Sequence, residues 1–215
     1  MNTKGLEDFF VDNWKAVAGA IAAVVVLIAG YAIWNEMHQA REARATDALY
    51  DAQKIARAAA EQKKIPEADA ALQKVSNEFS GTRAAFEASL QAGDLYMDAG
   101  TYPQAVERYD QAAKGAKDAF SRILARYNLG IAKESAGQFQ EAVAAYDDAL
   151  NTNGSDFLKP EIMMAQARCY EALNQAPKAL SIYQEVQKTY AGNTYYSGAA
   201  AGFASKLGAA PVAAQ

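Results

Sequence analysis

The side chains that most often carry chemistry are thinly spread through these 215 residues, with one histidine, His38, and one cysteine, Cys169. A histidine works as general base, proton shuttle or metal ligand when a second polar group shares its proton or its metal. His38 follows an apolar run and has no Cys or Asp cluster at metal spacing, so it reads as an interfacial side chain. Cys169 falls inside a helical pattern beside Tyr170 and reads as a small buried hydrophobe. Glu141, Asp147 and Asp148 lie within two turns of one helical segment. Carboxylates so placed can hold a hard cation, but without a further ligand they read as a solvated face. No Gly-rich phosphate loop is present, and no Ser/His/Asp set can be assembled. The expectation is a chain with no catalytic, cofactor-binding or metal site, and hence not an enzyme. A formal charge of −4 argues against a nucleic-acid binder, which would show a basic patch.

What the residues do show is a pattern with a period of 37. Gly100, Tyr102, Ala105, Tyr109 and Ala112 are answered by Gly137, Phe139, Ala142, Tyr146 and Ala149. Asn174, Ala176, Ala179, Tyr183 and Val186 answer again, more loosely. Self-similarity at this period marks a stack of supersecondary units that bury a shared core. Each unit reads as two antiparallel helices. In the clearest one, Ala85, Ala88, Ala92, Gly93 and Tyr96 recur at helical spacing, and Gly100 suits the left-handed residue that ends a helix. A second helix then starts at Tyr102-Pro103, with proline in the first turn. Small Ala and Gly are expected to let the two helix backbones approach closely, and large Tyr to fill the space between one pair and the next.

This spacing resembles the tetratricopeptide repeat (TPR), which has a Leu-Gly pair and a Tyr in its first helix and Gly-x-Tyr-x2-Ala-x3-Phe-x2-Ala across the turn and second helix. The first-helix elements stand here as Ala92-Gly93 with Tyr96, Leu129-Gly130 with Lys133, and Gln166-Ala167 with Tyr170. One period back from Ala105 and Tyr109 lie Ala68 and Leu72, with Ile65 and Val75 beside them, so a degenerate first unit is expected over about Thr46–Phe79. Tyr195–Leu207 is expected to form a single capping helix. The turns Lys114–Lys117 and Asn151–Ser155 accommodate a period longer than is usual for the family.

Ala16–Trp34 carries no charge over 19 residues. At about 1.5 Å per residue such a helix spans roughly 28 Å, close to a bilayer core. Trp14 stands at one edge and Tyr31 and Trp34 at the other, as membrane interfaces favour. A buried core helix and a cleavable secretory signal are the alternatives. The acidic Glu7, Asp8 and Asp12, and the bulky Trp34, Met37 and His38, speak against a signal. Lys4 and Lys15 on one flank nearly balance Arg41 and Arg44 on the other, and the free amino terminus tips the N-terminus towards the cytoplasm.

The expected organisation is thus all-α: a cytoplasmic N-terminus (1–15), a transmembrane anchor (16–34), a helical linker (35–45), an α-solenoid of about four TPR-like hairpins with a capping helix (46–208), and a disordered tail (209–215). Phe9-Phe10-Val11-Asp12-Asn13-Trp14-Lys15-Ala16 enters the apolar span, and Trp34-Asn35-Glu36-Met37-His38-Gln39 leaves it. These runs resemble the bacterial YfgM-like family, the ancillary subunit of the SecYEG translocon, which has such an anchor and a periplasmic TPR-like domain. The resemblance implies a single-pass inner-membrane protein with its C-terminal domain in the periplasm. Its implied partners are the translocon, periplasmic chaperones or client chains, with no nucleic acid and no small-molecule substrate.

In the TPR the concave wall is made by first helices, so partner contacts are expected from Leu90, Gln91, Asp94 and Met97 in the second unit. Tyr127, Asn128, Ile131 and Glu134 follow in the third, and Met164, Arg168 and Glu171 in the fourth. The apolar members could accept apolar segments, with Met adapting to varied shapes. A TPR that captures acidic C-terminal tails would place Lys and Asn where Leu90 and Asp94 stand. The expected function is that of a scaffold or holdase without covalent chemistry. The alternative is an adaptor that organises another cell-envelope complex.

Overall fold

The computed structural model describes residue 11 and residues 13–208. Most of the expected cytoplasmic segment 1–15 and the whole of the expected tail 209–215 lie outside the described residues. Nine α-helices, one 3-10 turn and no strand occur among the described residues. They are α1 (Trp14–Glu61), α2 (Ile65–Glu78), α3 (Arg83–Asp98), α4 (Tyr102–Gly115), α5 (Ala119–Ser135), α6 (Phe139–Leu150), α7 (Lys159–Ala172), α8 (Ala176–Thr189) and α9 (Thr194–Lys206). The chain divides into two compact units, one up to Arg44 and one from Ala45 onwards.

The first unit is the N-terminal part of α1. Its apolar run is long enough to cross a membrane, and none of its most apolar window is buried. Val25, Leu27 and Ile28 are 58%, 72% and 63% exposed. A core helix would bury such a run, which disposes of that alternative. The helix passes through residues 35–45 without a break.

The second unit is the repeat stack. The last part of α1, from Ala45, packs on α2 through Leu49, Ala52, Ala56, Ala68 and Leu72. The pairs α3–α4, α5–α6 and α7–α8 follow, and α9 closes the stack on α8. Phe203 of α9 stacks on Tyr183 at 5.3 Å between ring centroids.

The turn inside each hairpin repeats with the sequence. Lys63, Gly100, Gly137 and Asn174, 37 residues apart, all have positive φ, between 58° and 75°. In each case the next residue's N–H bonds back across the helix end: Lys64 to Ala59, Thr101 to Tyr96, Gln138 to Lys133 and Gln175 to Tyr170, at 2.8–2.9 Å. This 6→1 bond satisfies carbonyls that a helix terminus would leave open. Proline then occupies the first turn of α2, α4 and α8. The degenerate first unit therefore uses the same backbone device as the clear ones, with a lysine in the glycine position.

One expectation is corrected. Gly93 and Gly130 do not bring bare backbones together; each makes room for a ring of the same hairpin. A Cβ at Gly93 would lie 2.5 Å from the Tyr109 ring, and one at Gly130 would collide with Tyr146 in the same way. The tyrosine thus fills the space within a pair. Tyr109 also joins the next unit's Leu129 and Ala132 in one buried cluster.

Candidate partner-binding groove

Successive first helices touch one another, α3 with α5 and α5 with α7. Their outer turns form the wall expected to bind partners. The eleven expected contact residues sort into three groups there.

Five are taken up by packing. Leu90 and Met97 lie against the cluster of Tyr96, Tyr109 and Leu129. Tyr127 and Ile131 lie against the cluster of Ile123, Tyr146 and Ile162. Met164 is buried in the core with Ala179, Tyr183 and Ala200. These apolar side chains hold neighbouring units together, which limits the apolar surface they leave for a partner.

Four are charged: three carboxylates that anchor the buried tyrosines, and Arg168, which pairs with one of them. The Tyr109 hydroxyl donates to Asp94 Oδ1 at 2.5 Å. The Tyr146 hydroxyl donates to Glu134 Oε2 at 2.9 Å, and Tyr183 donates to Glu171. Arg168 of α7 grips Glu134 of α5 with two parallel bonds, Nε to Oε1 at 2.9 Å and a terminal nitrogen to Oε2 at 3.1 Å. A buried phenol without an acceptor would carry the full desolvation cost, so each second helix requires a carboxylate from the first. Burial is the main cause that holds all three phenols protonated, well above their ordinary titration range, with the adjacent carboxylate adding to it. Asp94 is itself held above the usual carboxylate range, by burial first and by Asp98 beside it, while the Tyr109 bond works the other way.

Gln91 and Asn128 remain. Gln91 Oε1 accepts from Gln53 Nε2 at 3.2 Å. Gln53, Arg57, Gln91, Asp94 and Asp98 line an open cavity of about 340 Å³ between α1 and α3. Ala56, Leu72 and Leu95 complete its walls, so it mixes polar groups of both charges with apolar surface and suits hydrogen bonds with a peptide backbone beside a small apolar contact. Gln53, Arg57 and Asp98 are absent from the expected set. The first two had a signal, since they stand one period before Leu90 and Asp94.

The other polar candidates also have structural employment. His38 stacks on Trp34, with ring centroids 5.4 Å apart, and its Nε2 lies 3.9 Å from Glu42. Asp147 accepts from Gln166 at 2.6 Å, and Asp148 pairs with Arg126. Cys169 is fully buried, and burial pushes its thiol up to about 12. A thiol so shielded is protonated and inert at neutral pH.

Comparison with known proteins agrees with this geometry. A family model for a tetratricopeptide repeat-like domain matches residues 7–150, and a second, for the tetratricopeptide repeat, matches residues 127–194. No curated protein matches the chain. Among solved structures, the chain is similar to the nearly identical TPR-like repeats of a kinesin-light-chain-type protein of Podosopora anserina. That likeness has 21% identity and a TM-score of 0.58, over 74% of this chain and 84% of that one. It is also similar to the MamA protein, with 20% identity and a TM-score of 0.55, over 75% of this chain and 87% of that one. At these identities the likeness is one of fold, a fold that generally serves as a non-enzymatic scaffold for protein–protein interaction. By its matched residues, its repeated turns and its stacked hairpins, the chain belongs to the tetratricopeptide repeat-like domain family.

Proposed function

We propose that this protein is a membrane-anchored TPR scaffold that holds partner proteins or emerging chains beside the protein translocon. In this reading α1 crosses the bacterial inner membrane over residues 16–34, and the repeat stack stands in the periplasm. The observation that carries it is the union of an unburied apolar helix with an interaction-type repeat stack in one chain. Tethering keeps the groove at high effective concentration near other membrane complexes, so weak contacts suffice. The runs on both sides of the apolar span, which resemble the YfgM-like family, support SecYEG and periplasmic chaperones as neighbours. The groove's contact surface would centre on Gln53, Arg57, Gln91, Asp94 and Asp98, with Asn128 further along. Its polar groups beside Ala56, Leu72 and Leu95 favour partner segments that bring hydrogen-bonding groups together with a small apolar side chain.

The test is to place photo-crosslinking side chains at Gln91 and Asn128 of the full-length protein and to purify it from native membranes in mild detergent. Translocon subunits among the adducts are the expected result. Adducts with cell-wall or division proteins and none with the translocon would replace this reading with that of an envelope adaptor.

A further inference from the structure

The repeat lets one unit be read against another on the face opposite the groove. Gly93, Gly130 and Ala167 are equivalent by the period, and the first two share the same tyrosine contact. Four residues before them stand Ser89, Arg126 and Met163. In the third unit, Arg126 runs along this position and pairs with Asp148. In the fourth, Met163 fills it and is 5% exposed. In the second unit the residue is Ser89, and the equivalent of Asp148 is Gln111. Both line a cavity of about 540 Å³ among α2, α3 and α4. The seat that two other units fill with a long side chain of their own is open here.

The walls match the missing arginine. Ser89 donates to the Ala85 carbonyl at 3.1 Å, which leaves its oxygen able to accept. Gln111 spends its amide nitrogen on Ser76 at 3.3 Å and Asn77 at 3.4 Å, which leaves its carbonyl oxygen as an acceptor. Phe86 supplies an aromatic wall, on which a guanidinium stacks well. Gln73, also in the wall, has its amide nitrogen buried without a partner. A half-turn of its carboxamide would present an oxygen instead. Of the cations in the wall, Arg108 is paired with Asp69 and Glu107 and Lys114 with Asp110 at 2.5 Å, while the Lys117 ammonium lies at the rim against Gly81.

We infer that this cavity is a receptor for one arginine side chain presented by a partner protein, seated as Arg126 is seated one unit further along. The site is distinct from the groove and does not depend on the translocon reading. Saturation-transfer NMR on the full-length protein in nanodiscs tests it, with N-acetylarginine methylamide as probe and the isosteric, uncharged citrulline analogue as control. The arginine probe is expected to saturate at its guanidino methylenes and the citrulline probe to give little signal. Gln111→Asp restores the carboxylate of the filled seat and is expected to tighten arginine binding about tenfold, as a charge-assisted bond does. The pair Ser89→Arg with Gln111→Asp copies Arg126–Asp148 and is expected to abolish binding while the helical signal and melting midpoint hold. Should that pair fail to fold, Ser89→Met, the residue of the fourth unit, serves as the blocking variant. Equal signals from arginine and citrulline, or binding that survives the blocking variant, would overturn the inference.

Discussion

Gly130 lies under the Tyr146 ring so closely that a single added carbon meets the aromatic face. Tyr146 is fully buried and cannot step aside without losing its bond to Glu134. Gly130→Ala is therefore expected to destabilise the stack by about 1–3 kcal/mol, the usual cost of overpacking a dense core. Chemical denaturation with an unchanged slope would measure it. A loss below about 0.5 kcal/mol would mean that the ring is free to shift, as overpacking theory does not allow in a close-packed interior. The small residue was legible in the sequence as part of the repeat, but its purpose was not. Periodicity says that a position is buried and small; only the folded packing shows which neighbour needs the space. The same gap explains Asp94, Glu134 and Glu171. Carboxylates on a groove-facing helix look like partner contacts until the phenols beneath them are seen.

Helix ends were more legible than helix faces. Gly100, Gly137 and Asn174 announce a left-handed turn by residue type, and the structure has one at each. Lys63 does not announce it, because a lysine carries no turn signal, yet its φ of 59° places it in the same role. A residue with a Cβ pays about 1 kcal/mol or more in that conformation, and glycine does not. Lys63→Gly is expected to stabilise the first hairpin by about 0.5–1 kcal/mol, after glycine's larger unfolded-state entropy is counted. Hydrogen exchange at the amides of α2 should slow accordingly. An increase in exchange there would show that the Lys63 side chain contributes more than its backbone costs. The weak sequence signal of this unit thus reflects its substituted turn and core residues, Lys63, Ile65, Leu72 and Val75, and not a different architecture.

For the stack as a whole, three buried phenols and one buried thiol tie stability to alkaline pH. Burial holds the phenols of Tyr109, Tyr146 and Tyr183 above their ordinary value and the Cys169 thiol up at about 12. The folded chain then keeps protons that the unfolded chain releases. Stability from these groups is complete below about pH 8.5, begins to fall as an unfolded thiol ionises, and falls faster above about pH 10 as unfolded tyrosines follow. Each fully shielded group contributes a slope of roughly 1.4 kcal/mol per pH unit. Melting midpoints are expected to be level from pH 7 to 8.5 and to drop steeply past 10. A midpoint unchanged at pH 11 would show that the phenols reach solvent in the folded state.

The two bidentate arginine pairs have a mechanical consequence. Arg108 of α4 holds Asp69 of α2, with Nε at 2.8 Å from Oδ1 and a second nitrogen at 2.9 Å from Oδ2. Arg168 of α7 holds Glu134 of α5. One clamp therefore ties second helix to second helix near the start of the stack, and the other ties first helix to first helix near its end. Between them, α4 and α5 pack as extensively as the helices of one hairpin do, with Tyr109, Leu129 and Ala132 in one buried cluster. Under tension the joints of such a stack resist differently: the clamped ones through directional, charge-assisted bonds, and the α4–α5 joint through buried apolar packing.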